Sequence, residues 1–222
     1  MADTATTIQG ALFDLDGLIL DTEAVGMEAF SDVTGPMGMD KDRSDEIYLT
    51  LIGLSGETAN ARISALFPDE DTDRIDRLWI AAMARRLEHD VPMRPTAFET
   101  IWELHRNGLP MAIVTSSRRR FVAPKLERVG LRECFAALVT ANDVAQRKPH
   151  PEPYLQGAAH LGLPPGRCAA FEDSDTGTRA AVAAGCVTFQ IPDLRPLDTP
   201  FPLLGQRHAS TLREAVEQAG LL

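Results

Sequence analysis

The polar residues best placed to do chemistry stand where short apolar runs stop. Asp14 and Asp16 follow Ala11-Leu12-Phe13, Thr115 and Ser116 follow Met111-Ala112-Ile113-Val114, and Glu172 and Asp173 follow Cys168-Ala169-Ala170-Phe171. Lys148 stands in a loop between the last two groups. Residues i and i+2 of an extended backbone share a face, so Asp14 and Asp16 at a strand end point the same way. At about 4 Å and an effective dielectric of about 20 their repulsion is about 4 kcal/mol, which calls for a cation or a shared proton. Four carboxylates, two hydroxyls and one ammonium on one edge suit a divalent cation together with a phosphate, and an oxygen-only donor set favours magnesium. Each group also has an ordinary structural role. Asp-Gly after a strand makes a turn, Thr115-Ser116 opens a loop, Lys148 before Pro149 suits a solvated surface, and Glu172-Asp173 suits the start of a helix.

The elements around these residues decide whether they meet. Ile8 to Asp14 is a short apolar run ended by glycine chemistry, a buried strand. From about Thr22 to Pro95 apolar residues such as Ile47, Leu51, Ile63, Phe67, Leu78 and Leu87 recur at helical spacing, and breaks at Gly35-Pro36, Gly53, Gly56 and Pro68 divide the stretch into about four helices. Beyond Pro95 helices and strands alternate. Strands are expected at Pro110–Thr115, Ala137–Thr140, Arg167–Glu172 and Cys186–Ile191. Helices are expected at Thr96–Asn107, Arg118–Val129, Pro151–Gly162, Asp175–Ala184 and Ser210–Leu222, with Pro192–Pro202 as a loop. Alternation of this kind implies right-handed crossovers, a parallel sheet and ligand binding at the carboxyl ends of the strands. The expected fold is therefore α/β: a doubly wound parallel sheet, a Rossmann-like core of residues 1–21 and 96–222, with an inserted α-helical cap of residues 22–95. Hinges are expected near Leu20–Thr22 and Met93–Thr96.

Composition narrows the function classes. The chain has 222 residues, 44% hydrophobic and 24% charged, with a formal net charge of -10. That charge argues against a nucleic-acid partner, whose phosphates demand a basic footprint. Arg118-Arg119-Arg120 is too short a run to change this and reads as a solvated face. Cys134, Cys168 and Cys186 are odd in number, widely spaced and without paired ligand spacing, which fits small apolar residues in a reducing compartment. With no apolar run of about 18 residues and an N-terminal segment unlike a leader, no membrane partner is expected and the location is expected to be cytoplasmic.

Taken together, Asp14-Leu15-Asp16-Gly17, Val114-Thr115-Ser116-Ser117, Arg147-Lys148-Pro149 and Phe171-Glu172-Asp173-Ser174 resemble, in order, the four motifs of the haloacid dehalogenase superfamily, in its phosphatase and β-phosphoglucomutase branch. The resemblance implies that Asp14 is a nucleophile that becomes an aspartyl phosphate and that Asp16 is the acid and base. It implies Mg2+ on the Asp14 carboxylate, the Asp16 carbonyl and Asp173, with Glu172 direct or through water. Thr115 or Ser116 holds phosphate oxygens and Lys148 neutralises charge in the transition state.

Departures from the family pattern separate the branches. Asp16 argues against the dehalogenases and the phosphonatases. The cap histidine and arginine of β-phosphoglucomutase correspond here to Gly26 and Gly56, so loss of the phosphoryl group to water is favoured over transfer to a second sugar hydroxyl. Ile52-Gly53-Leu54-Ser55-Gly56-Glu57 is the expected cap loop, where Ser55 and Glu57 suit hydroxyl groups of the substrate. The expectation is a magnesium-dependent phosphomonoester hydrolase for a small phosphorylated metabolite, a sugar or polyol phosphate. Its alternatives are a phosphosugar mutase and a non-catalytic binding or regulatory protein. A monomer or small homo-oligomer is expected.

Overall fold

In the computed structural model, residues 7–52, 56–195 and 200–222 are described. The strands are β1 (Gly10–Phe13), β2 (Met111–Val114), β3 (Ala137–Val139), β4 (Cys168–Glu172), β5 (Val187–Gln190) and β6 (Arg207–His208). They form one sheet in the order β3-β2-β1-β4-β5-β6, and every neighbouring pair is parallel. The helices are α1 (Thr22–Thr34), α2 (Lys41–Leu49), α3 (Gly56–Leu66), α4 (Thr72–His89), α5 (Ala97–Arg106), α6 (Arg119–Arg128), α7 (Glu152–His160), α8 (Asp175–Ala183) and α9 (Leu212–Gln218). This is the doubly wound α/β arrangement that the alternating pattern implies. Only β6 has no counterpart among the expected strands. Two residues cannot show a period, and β6 exists because β5 offers it a parallel edge.

The chain packs as two units. One comprises Met1–Leu20, Met93–Asp193 and Phe201–Leu222, and the other Asp21–Pro92 with Leu194–Pro200. In the first, side chains alternate across the sheet as extended backbone requires. Register places Phe13, Phe171 and Phe189 side by side on one face, with ring centroids 4.9 and 5.4 Å apart. All three are fully buried, worth about 1.5–3 kcal/mol each. The other face carries Leu12, Ala112, Val114 and Ala170, covered by Tyr154 and Ala158 of α7 and by Ala180 and Ala181 of α8. Asp14 and Glu172 are two residues beyond Leu12 and Ala170. They continue that second face just past the sheet's apolar layer.

In the second unit α1 to α4 surround a core built on Phe30, Tyr48, Ile63, Ile75 and Trp79. Leu194 packs against this core, which explains why its segment groups with the helices although the sequence places it after the last long strand. The chain enters and leaves the helical stretch on adjacent paths: Asp21 N donates to Pro92 O (2.9 Å) and Arg94 N to Ile19 O (2.9 Å). Cys134, Cys168 and Cys186 are buried free thiols. Among the described residues no helix is long and apolar enough to cross a membrane.

Candidate active site

Asp14 is the last residue to share in the β1 ladder, through its N–H to Phe171 O at 3.0 Å. The chain then turns sharply. Ile19 and Leu20 both donate to Leu15 O, Gly17 N donates to Leu20 O, and Gly17 takes a positive φ of 86° that a side chain would resist. The turn leaves the Asp14 carboxylate facing α7, only 7% of the residue exposed, with Oδ2 accepting from Leu15 N at 2.6 Å. Lys148 reaches it from the loop before α7. Its Nζ donates to Asp14 Oδ1 (2.5 Å), Glu172 Oε1 (2.5 Å) and Val114 O (2.8 Å), so one ammonium ties together the ends of β1, β2 and β4.

Glu172 is completely buried, and its oxygens are spent on side chains. Oε1 takes Lys148 and the hydroxyl of Tyr154, while Oε2 accepts from Ser174 Oγ at 3.1 Å. Ser174 Oγ in turn accepts from Gly177 N at 3.0 Å and caps α8, as expected for a serine before a helical run. This cluster holds two carboxylates against one ammonium. Burial pushes Asp14 up to about 7; Lys148 opposes the rise, and Glu172 and, less strongly, Asp16 add to it. Burial works against the Lys148 charge, but Asp14 and Glu172 outweigh it and hold the ammonium above its ordinary value. Burial, reinforced by Glu172, raises Tyr154 as well and keeps it a neutral donor.

Asp16 stands two residues beyond Asp14 and bridges to Leu20. It lies in the turn and has a lysine of its own: Lys125 Nζ, from α6, donates to Oδ1 at 2.7 Å, and Ser117 Oγ donates to Oδ2 at 2.6 Å. The repulsion between the two aspartates is thus met by two separate cations. Asp173 presses on the same turn, since a Cβ on Gly17 would lie 2.5 Å from Asp173 Oδ2. Thr115 is buried, and its Oγ1 accepts from Ser117 N at 3.1 Å, shaping the loop that presents Ser117. Ser116 is exposed beside it. Ser55 lies outside the described residues, and Glu57 is in the first turn of α3 in the helical unit.

The family of haloacid dehalogenase-like hydrolases matches residues 11–191, spanning the three strand-end groups and Lys148. The chain belongs to this family. It is 31% identical over 214 residues to hexitol phosphatase B of Escherichia coli K12, covering 95% of this chain and 96% of that one. It is 34% identical over 180 residues to the fructose-1-phosphate phosphatase of the same organism, covering 79% and 92%. Among solved structures, a HAD-family hydrolase of Deinococcus radiodurans with bound phosphate and sodium has a TM-score of 0.79 at 28% identity, covering 98% of both chains.

Within this family site the structure supplies residues that spacing did not point to. Tyr154, Lys125, Ser117 and Gly177 all touch Asp16 or Glu172. A signal existed for Lys125, which stands three residues after the buried Val122 on the inward stripe of α6, where a charge needs a partner. Gly177 carried none. A Cβ there would fall 1.9–2.1 Å from the Glu172 carboxyl atoms, so no side chain fits while Glu172 keeps its place. Gly177→Ala is expected to displace Glu172 and with it Lys148. It should lower kcat at least about tenfold and cost about 1–3 kcal/mol of stability despite the better helix propensity of alanine. Steady-state kinetics with urea denaturation reads both effects.

Proposed function

We propose that this hydrolase is a magnesium-dependent phosphatase for small phosphomonoesters, of the sugar or polyol phosphate class. The observation that carries the reading is the division of labour at the end of β1. Asp14 is buried on Lys148, while Asp16, two residues on, is held on a separate lysine and is 23% exposed at its side chain. A carboxylate fixed against an ammonium suits nucleophilic attack on a phosphoryl group whose charge the ammonium shares. In the first step an Asp14 oxygen bonds to phosphorus, the ester P–O bond breaks, and a proton from Asp16 goes to the leaving oxygen. In the second, water attacks the aspartyl phosphate, Asp16 takes the water proton, and Asp14 is released with inorganic phosphate.

The donor set fits magnesium. Among the described residues no three His, Cys, Asp or Glu side chains gather as a metal cluster. Asp14, Asp173 and the Asp16 carbonyl offer instead the sparse oxygen ligation that magnesium completes with water and phosphate. Asp173 faces this turn closely enough to exclude any Cβ at Gly17. Glu172 is completely buried and its Oε1 takes both Lys148 and Tyr154, so it is better read as the anchor of Lys148, reaching the metal through water, than as a direct ligand. When bound, the metal supplies positive charge for the phosphoryl oxygens.

Two findings favour hydrolysis of sugar or polyol phosphates over mutase chemistry. The relatives named above are phosphatases for hexitol phosphates and fructose 1-phosphate by name. In the helical unit the position of the mutase histidine, Gly26, has no room for a side chain. A Cβ there would meet the Tyr48 hydroxyl at 2.4 Å, and that hydroxyl is fixed on Glu23 Oε2 at 2.7 Å. A panel of sugar, polyol and nucleotide phosphates is expected to show turnover that EDTA abolishes and excess Mg2+ restores. Absence of turnover on every phosphomonoester would sink the reading. Sustained isomerisation of a sugar 1-phosphate primed with a bisphosphate would replace it with the mutase.

A further inference from the structure

We infer that Lys125 is a positioning residue for Asp16, acting with Ser117 as a clamp built from a single segment. The inference rests on the reading of Asp16 as the acid and base. Ser117 precedes α6 and Lys125 lies inside it, and between them they take one Asp16 oxygen each, at 2.6 and 2.7 Å. A carboxylate held at both oxygens by two fixed donors is restricted in orientation. Lys125 serves this end at a cost that a surface lysine avoids. Its side chain is 15% exposed, three residues along from the buried Val122 and next to the buried Leu126, so its long stem is ordered and its ammonium partly desolvated.

The second lysine of the site does not share the task. Lys148 is committed to Asp14, Glu172 and Val114 O. The two ammonium groups are therefore not redundant: Lys148 balances buried charge, and Lys125 sets a direction. Direction matters because proton transfer requires the donor oxygen within hydrogen-bond reach of the leaving oxygen, and a misplacement of about 1 Å costs up to about 100-fold.

The test compares an alkyl phosphomonoester that the enzyme turns over with p-nitrophenyl phosphate, whose leaving group departs without a proton. Lys125→Met keeps the stem and removes the charge. It is expected to lower kcat on the alkyl ester about 10–100-fold with KM within about threefold. Single-turnover release of p-nitrophenolate should change less than about threefold. Lys125→Arg, able to reach the same oxygen, should recover most of the alkyl-ester kcat. An equal fall on both esters would place Lys125 on the phosphoryl group instead and overturn the proposal, as would an alkyl-ester kcat equal to that of the wild type. Asp16→Asn separates the two readings. If it abolishes alkyl-ester turnover while Lys125→Met does not change it, the clamp alone fails. If Asp16→Asn stays active, the acid and base assignment fails and the clamp with it.

Discussion

Replacing Asp14 by asparagine is expected to abolish turnover while making the metal-free protein more stable. The loss follows from the chemistry. An amide oxygen cannot form the aspartyl phosphate, so kcat should fall at least about 10⁴-fold on every phosphomonoester. The gain follows from counting charges. Asp14, Glu172 and Lys148 share one buried contact, two anions to one cation, and asparagine leaves a matched pair. The sign with pH is definite. Asp14 sits at about 7 in the folded protein against an ordinary value of 3.8. Between those values the folded state binds a proton that the unfolded chain has released, so its stability drains away as pH rises from about 4 to about 7 and is level above. The asparagine variant lacks that slope. In EDTA, the advantage of Asp14→Asn should grow from nearly nothing at pH 4 to about 2–4 kcal/mol at pH 8, a rise in Tm of several degrees. Thermal denaturation across pH reads it. A variant less stable than wild type at pH 8 would mean that the Asp14–Lys148 pair stabilises more than the excess charge costs.

Lys148→Ala is expected to do the opposite to stability and the same to activity. It strips the Lys148 ammonium from two buried carboxylates, and breaking a buried pair from one side costs about 3–5 kcal/mol. Val114 O loses a donor as well. Turnover should fall about 10³-fold, since charge on the transferring phosphoryl group is no longer met. The double variant Lys148→Met with Glu172→Gln removes one charge of each sign and should recover most of the stability and none of the activity. Denaturation midpoints and kcat separate the two roles. If the double variant were as unstable as Lys148→Ala, the cost would lie in packing around Tyr154 rather than in unpaired charge.

Much of this site was legible before any coordinates. The strands of the core are short apolar runs closed by polar residues, and glycine follows nearly every helix, so the punctuation survives in a single sequence. The order of Asp14, Thr115, Lys148 and Glu172 along the chain was enough to place them on one sheet edge, because parallel strands deliver their carboxyl ends together. Nothing local reveals that Tyr154, Ser174 and Lys148 converge on Glu172, the residue read from the sequence as reaching the metal directly or through water. The partner of Asp16 is equally invisible locally, since Lys125 stands 109 residues away.

The sequence by itself determined the identity and order of the polar groups at the strand ends, the parallel sheet and the helical stretch after the first strand. Those are properties of residue type and short-range period. Tertiary structure alone decided who holds whom: Lys125 on Asp16 across 109 residues, Lys148 on Asp14 across 134, Glu172 against the bare Cα of Gly177, Tyr48 in the space at Gly26, and Leu194 among the helices. A local pattern can show that Lys125 needs a partner but not which one, because ordering two distant side chains against each other is a property of the packed elements between them. The proposed nucleophile can be read from four letters, but the lysine that holds Asp16 required the fold.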